Sequence, residues 1–473
     1  MTGGFATPYV ESQLFAQAAS DATSTSAIFR VRADAKRTAI ASNFMGLGYE
    51  ISSVARPGLL SAANQSYVRL VRTLGTDGVI RVGGNTADYA RYSPQAAAVS
   101  TPYKTVVNDT QLKDLGDFLT KTGWQLIWAL NLGNGSVENA IAEAKRVREV
   151  AGKNLMAFEI GNEPDLFSHE KHRPPGYSYD QWLADYRRDK AALRAALPGV
   201  PFAGPDVAGA TDWVTRFAED EGGDLAVLTH HYYREGQNPN SSIDKLFEAD
   251  PKLSRQLMAL RDASEKSKVP YRICEVNSFS GGGRPGVSDT FAAALWVLDY
   301  MFTLATYNCG GVNMEAGVNQ LGFISSYSPI GDDEHGHFTA RPEYYGMLAF
   351  SLAGKGQILS LESVSNPTRT KAYATMQADG SLILTLINKS DADIDFRVEL
   401  DHALLSAGNL HATMLRLRGP AIDAKSGITL GGSEVTSGGE WTPSTSSPVH
   451  LQHGHLELRV AAGSADIVSI VCH

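Results

Sequence analysis

Glu163 and Glu275 are the residues of this 473-residue chain whose type and setting most directly suggest chemistry. Glu163 follows the apolar run MAFEIGN and precedes Pro164-Asp165, and Glu275 lies in YRICEVNSFSGGG, so each falls where a strand-like run gives way to a loop. Two carboxylates on facing strand ends, held about 5 Å apart, meet the requirement of retaining glycoside hydrolysis: one protonates the leaving oxygen while the other attacks the anomeric carbon. A strand-end glutamate standing alone is more often solvated or ion-paired, so the inference rests on the pair in its motifs. Glu159 shares strand parity with Gly161 and is expected to face inward, where Arg81 could neutralise it or could instead order Glu275. Cys274, next to Glu275, should point to the opposite face, toward the helices, as a core residue.

The elements that must position these residues are short apolar runs bounded by Gly, Asn or Pro and separated by helical patterns. Eight such runs are present, at 44–50, 78–84, 126–133, 156–162, 201–206, 225–233, 271–277 and 311–317. Repeated βα units of this number over roughly 300 residues predict an α/β fold, a (β/α)8 TIM barrel, whose active site is built at the C-terminal ends of the strands. The clearest helices are expected at 179–197 and 288–305, the second capped by Ser288 and carrying one apolar stripe, Phe291, Leu295, Leu298, Met301, Phe302 and Ala305. After about residue 351 the pattern changes to alternating strands with turns such as Ala378-Asp379-Gly380-Ser381. The expected organisation is a catalytic barrel over 41–350 and a β-sandwich formed by 1–40 and 351–473, with the strand-like run 27–33 pairing into the C-terminal sheet. The Gly/Ser/Thr-rich stretch 436–448 reads as a surface loop.

Composition narrows the classes. Hydrophobic residues make up 43% and charged residues 20%, as in globular chains, and 42 Lys+Arg against 51 Asp+Glu give a net charge of −9. No general field therefore draws the chain to nucleic acid or anionic lipid, and no nucleic-acid partner is expected. The most apolar long segment, 291–305, is too short for a bilayer and carries Asp299, so no membrane insertion is expected. Cys274, Cys309 and Cys472 form no disulfide framework and no metal-ligand spacing, and neither a metal nor an organic cofactor is expected. The segment 332–337, DDEHGH, lacks a helical HExxH spacing and reads as a solvated loop, and His450, His453 and His455 as surface residues. RVGGNT and GGGRPG are not phosphate loops. Residues 1–17 lack a basic n-region and an apolar h-region, so no export signal is visible; localisation is unassigned, and secreted or periplasmic if a leader has been removed.

Asn162-Glu163-Pro164, with a second glutamate three βα units later, resembles the clan A retaining glycosidases. EIGNEPD, Gly204-Pro205-Asp206, HHYY (230–233), the Glu275 segment with Gly281-Gly282-Gly283, SDTFAA (288–293) and RVGGNTADY (81–89) together resemble glycoside hydrolase family 79, over about residues 44–350. The resemblance implies a bacterial-type retaining β-glucuronidase acting on glucuronic-acid-containing carbohydrate. It implies Glu163 as acid/base, Glu275 as nucleophile and Asn162 on the sugar 2-hydroxyl. It also implies Tyr233 bonded to the nucleophile, Glu50 on sugar hydroxyls, and Gly281, Gly282 and Tyr327 on the uronate carboxylate. Phe279-Ser280 stand where several family members carry a tyrosine. His231 is expected to support the site.

Three alternatives stay open: an endo-acting, heparanase-like enzyme, a clan A enzyme for a neutral sugar, and a noncatalytic glycan-binding barrel. Charge favours exo action, because SYSPIGDDEHGH and HHYYREGQNPNSS supply few cations to hold a polyanion, while Lys171, His172 and Arg173 could form a local basic rim.

Overall fold

The computed structural model describes residues 26–32, 38–317, 324–332, 336–401, 410–452 and 454–472. The expectations for residues 1–17, for Asp333, Glu334 and His335, and for His453 lie outside the described residues.

Strands buried on both faces belong to a parallel sheet with helices outside and side chains filling the inside. Gly46–Glu50 (β1), Val79–Gly83 (β2), Gln125–Leu130 (β3), Leu155–Ile160 (β4), Ala203–Val207 (β5), Val227–Gly236 (β6), Tyr271–Ser280 (β7) and Val312–Glu315 (β8) are such strands. They order as β4-β3-β2-β1-β8-β7-β6-β5, and a parallel bridge between Phe158 and Phe202 closes the ring. This is the TIM barrel, one strand from each of the eight apolar runs. Among the described residues no helix is long and apolar enough to cross a membrane.

The helix Phe291–Thr306 (α1) departs from its sequence reading in two ways. Thr290, not Ser288, occupies its N-cap; the Ser288 hydroxyl instead accepts from the Arg284 amide and bonds Ser278, 2.8 Å in each case. The helix is also buried almost all round rather than along one stripe, because it lies between the barrel and the C-terminal sheets. Its first amides donate to Ala424 and Ile422, and Asp299 meets Lys389 at 2.6 Å and the Tyr373 hydroxyl at 2.5 Å.

The C-terminal strands Ser360–Ser365 (β9), Thr370–Met376 (β10), Leu382–Asn388 (β11), Ile394–Glu399 (β12), Leu410–Arg418 (β13), His455–Val460 (β14) and Ser464–Cys472 (β15) make two sheets. One contains β10-β11-β15-β13; the other places the strand Ser26–Arg32 between β9 and β12, antiparallel to the first and parallel to the second, with β14 beyond. Phe29, Leu384, Phe396, Leu456 and Val468 belong to one apolar cluster drawn from both sheets. The stretch 436–448 is not a free loop: Gly438 and Gly439 carbonyls accept from Arg69 and Thr73 of the barrel, and the Trp441 indole donates to Leu430.

Candidate active site

Arg81 on β2 organises the C-terminal end of the barrel. Gly83, two residues on, faces the same way, and a Cβ there would collide with the Arg81 guanidinium. Arg81 is fully buried and donates through Nε to Glu159 (3.1 Å), through Nη1 to Glu275 (2.8 Å), and through Nη2 to Asn162 Oδ1 (2.8 Å) and to Asp206. Both partners that the sequence offered are therefore engaged, and Asp206 is added. Burial opposes the charge, but Asp206, Glu159 and Glu275 hold the guanidinium protonated well above its ordinary range. Asp206 stays ionised, down at about 2, since Arg81 and His231 outweigh the burial that would raise it. Glu159 is pushed up to about 8 by burial and by Asp206.

Glu163 and Asp206 both take left-handed backbone, φ 48° and 62°, a conformation uncommon in non-glycine residues and concentrated at functional sites. The Glu163 amide donates to the Asp206 carbonyl at 2.9 Å, which ties the two strand ends together. His231 on β6 lies between the acids, with Nδ1 2.9 Å from Glu163 Oε1 and 3.9 Å from Glu275 Oε2, and Nε2 2.7 Å from Asp206 Oδ1. Its pKa is raised well above the usual histidine range: burial opposes the charge, and Asp206, Glu275 and the bond to Glu163 overcome it. Carboxylate oxygens of Glu163 and Glu275 come within 4.8 Å of each other.

The two glutamates have different partners. Glu163 is raised by burial, with Glu275 and Asp165 adding to the rise and His231 opposing it. Glu275 accepts from Arg81 and from the Tyr233 hydroxyl, 2.9 Å away. Glu50, at the end of β1, accepts from the Thr86 amide (2.7 Å) and hydroxyl (2.6 Å), in space that a Cβ on Gly84 would fill. Burial and then Glu275 push it up to about 7.

A cavity of 540 Å³ opens over this floor, lined by Glu50, Glu163, Tyr233, Glu275, Gly281, Gly282 and Tyr327 among others. Seven of the eight sequence-derived site residues thus meet in one place. Asn162 lies just beneath, its carbonyl turned to Arg81. Gly281, Gly282 and Gly283 all have positive φ (74°, 89° and 80°), and the Ser326 amide donates to the Gly282 carbonyl at 2.7 Å, joining the glycine loop to the Tyr327 segment. Phe279 is fully buried while Ser280 lines the cavity. Cys274 is buried but does not face the helices: its sulfur lies within 4.8 Å of carboxylate oxygens of Glu159 and Asp206 inside the barrel, because the register between β6 and β7 shifts at this residue and interrupts the strand alternation.

Three residues of the site are not singled out by the sequence. Asp206 stands there only as part of a motif. Asp88 gathers the amides of Leu132 (2.9 Å), Gly133 (2.6 Å) and Asn162 (2.9 Å), binding the ends of β3 and β4 to the loop after β2. Glu315 ends β8, buried, its pKa raised well above the carboxylate range by burial and by Glu275 and Glu50. A polar residue at a barrel strand end was the available signal for Asp206 and Glu315. Two of the three residues read as a basic rim turn inward: Arg173 to Asp185 (3.1 Å) and the Leu132 and Gly133 carbonyls (3.0 Å each), and the buried His172 side chain to Asn134 at 2.9 Å, while Lys171 stays exposed.

Two clusters bring ligand-type atoms within 4.8 Å, Glu163–His231–Glu275 and Glu159–Asp206–Cys274. In the first, both His231 nitrogens face carboxylates, and an imidazolium has no lone pair for a metal. In the second, Asp206 is committed to Arg81 and His231, and burial raises the Cys274 thiol far above the range of a thiolate ligand.

No family model matches the chain. A β-glucuronidase of Aspergillus niger is 28% identical over 376 residues, 71% of this chain and 68% of that protein. A heparanase of Rattus norvegicus is 26% identical over 257 residues, 50% of this chain and 45% of that one. The alignments thus span from just under half to about two thirds of these relatives' lengths. Among solved structures, a 4-O-α-L-rhamnosyl-β-D-glucuronidase from Fusarium oxysporum superposes with a TM-score of 0.74 at 18% identity, covering 93% of this chain and 100% of that chain. The motifs of its strand ends, its barrel and these relatives taken together support a family-79-like glycoside hydrolase.

Proposed function

We propose that the chain is a retaining exo-β-glucuronidase, with Glu275 as nucleophile and Glu163 as acid/base. The observation that carries the retaining mechanism is the approach of the two carboxylates to within 4.8 Å, on the short side of the roughly 6.5–9.5 Å that inverting enzymes need for an interposed water. Their surroundings support the division of roles. Arg81 and Tyr233 aim hydrogen bonds at Glu275, which hold its carboxylate in place for attack. Glu163 is raised by burial, favouring the protonated form. His231 Nδ1–H occupies Glu163 Oε1, which leaves the acidic proton on Oε2.

In the first step Glu275 bonds to the anomeric carbon, the bond to the glycosidic oxygen breaks, and the Glu163 proton passes to that oxygen. In the second, Glu163 takes a proton from water, the water oxygen bonds to the anomeric carbon, and Glu275 leaves. Glucuronide specificity is supported by the relatives and by the glycine loop and Tyr327, whose amides and hydroxyl suit a carboxylate. The tie between Ser326 and Gly282 at that end of the cavity favours one terminal sugar over a through-running chain.

The test uses 4-nitrophenyl β-D-glucuronide with Glu163→Ala: azide should accelerate turnover and yield the β-glucuronosyl azide. An α-azide, or no rescue, rules the assignment out. On size-resolved heparan sulfate, wild type should produce no mid-chain shortening.

A further inference from the structure

The left-handed backbone of Glu163 is held from two sides. Its amide donates to the Asp206 carbonyl (2.9 Å), and its own carbonyl accepts from the Leu166 amide (2.8 Å) across the turn Pro164–Leu166. Asp165, inside that turn, reaches to the loop after β5: its Oδ1 accepts from the Ala208 amide at 2.9 Å, and its Oδ2 from the amides of Gly209 and Ala210 at 3.0 Å each. One carboxylate thus takes three successive amides, an arrangement of N–H groups that suits an anion. The contacts close a ring. From Glu163 the chain runs two residues to Asp165, crosses to residues 208–210 and returns along β5 to Asp206; His231, 2.7 Å from Asp206 and 2.9 Å from Glu163, completes the circuit at the Glu163 carboxyl. Leu166 and Ala208 line the cavity, and Asp165 does not. Gly209 is exposed, so water can replace the carboxylate there and the fold does not depend on it.

From this ring we infer that Asp165 is a positioning residue for acid/base catalysis: it fixes Glu163 in the left-handed geometry that aims its carboxyl at the glycosidic oxygen, without itself meeting the substrate. The inference rests on the reading of Glu163 as acid/base. A left-handed glutamate keeps its conformation only where its surroundings over-determine it, and a misplacement of about 1 Å is enough to slow a reaction about 100-fold. Glu275 is held by Arg81 and Tyr233, on β2 and β6, outside the tie that Asp165 makes. The loss therefore falls on proton delivery rather than on nucleophilic attack, and grows with the leaving group's need for a proton. Glu163 also faces His231 from β6, Glu275 from β7 and Glu170 from its own loop; burial raises its pKa, His231 opposes, and Glu275 and Asp165 add to the rise. Removing the Asp165 charge lowers that pKa, so the protonated acid is lost at a lower pH and the alkaline limb of kcat/KM moves down.

The experiment compares kcat/KM, which reports the steps up to the glycosyl-enzyme, for phenyl β-D-glucuronide and for 2,4-dinitrophenyl β-D-glucuronide, whose leaving group departs without a proton. Asp165→Ala should lose about 100-fold on the phenyl glucuronide and no more than about 3-fold on the dinitrophenyl one, with its alkaline limb below that of wild type. Asp165→Asn keeps one acceptor oxygen and should lose about 10-fold, on the phenyl glucuronide alone. Equal losses on both substrates in either variant mark a general disturbance and overturn the positioning role, as do wild-type turnover of the phenyl glucuronide by Asp165→Ala and an alkaline limb that moves up. Glu163→Ala is the reference. If it does not separate the two substrates, the acid/base reading falls first and the positioning role with it; if it separates them and the Asp165 variants do not, only the positioning role falls.

Discussion

Arg81 and Arg272 are both completely buried inside the same barrel, yet their surroundings are opposite. Arg81, at the C-terminal level, bonds Glu159, Asp206 and Glu275, and its charge is held by acids. Arg272, at the start of β7, donates to Asn313 Oδ1 (2.6 Å) and to the carbonyls of Asn43, Phe44 and Val312 at 3.0–3.1 Å; among the described residues it has no carboxylate partner. Burial without an opposing acid brings it down to about 10. One arginine plugs the floor by satisfying backbone carbonyls, and the other fixes the charge pattern of the candidate site. A buried charge alone is therefore no sign of function; the ionisable groups it orders, and whether a cavity reaches them, decide.

The sharpest way to break this contrast is at Arg81's own partner. Glu275→Ala should lower kcat for an aryl glucuronide by about 10⁴-fold or more while thermal unfolding stays near wild type. Retention of more than about a tenth of kcat would contradict the nucleophile assignment and detach Arg81 from the chemistry.

The two arginines can then be set against each other. Arg81→Met should reduce kcat by about 10²-fold or more even in well-folded protein, since it strips Glu275 of a charged donor. Arg272→Met should instead cost about 3 kcal/mol or more of stability by orphaning several buried carbonyls, with kcat per folded molecule within about 3-fold of wild type. Urea denaturation and active-site titration of both variants separate these outcomes. Equal kcat losses would erase the distinction between floor and site.

The smallest effect sharpens the electrostatics. His231→Asn removes a cation bonded to Glu163, and that cation lowers the carboxyl's pKa. Its loss raises the pKa, so the protonated acid survives to higher pH and the alkaline limb of kcat/KM should move upward, with about a 10-fold loss at the optimum. A limb that stays in place or moves down would show that His231 does not govern this proton.

Much of the site was legible because barrel geometry converts sequence position into spatial position. Any residue at the end of a barrel strand reaches the same rim, so Glu163 and Glu275 could be placed together from strand order, while Glu50 and Tyr233 were marked by the family resemblance. Asp88 was not legible: its role lies in amides from two other loops, and no pattern within RVGGNTADY marks it. The surroundings of α1 were hidden for a related reason. An amphipathic stripe shows the face a helix turns to the barrel, but what covers its start and its far side comes from later in the chain: the carbonyls of Ile422 and Ala424, and Lys389.

By itself the sequence determined the strand runs, the two glutamates at their ends and the family motifs around them, because hydrophobic periodicity and turn residues are local properties. Only the tertiary structure decided which carboxylates share Arg81, that His231 stands between Glu163 and Asp206, and that Arg173 turns away from the rim. Those outcomes depend on distances between strands far apart in the chain. Over a few ångströms in a buried, low-dielectric interior, such distances set the charge of each group.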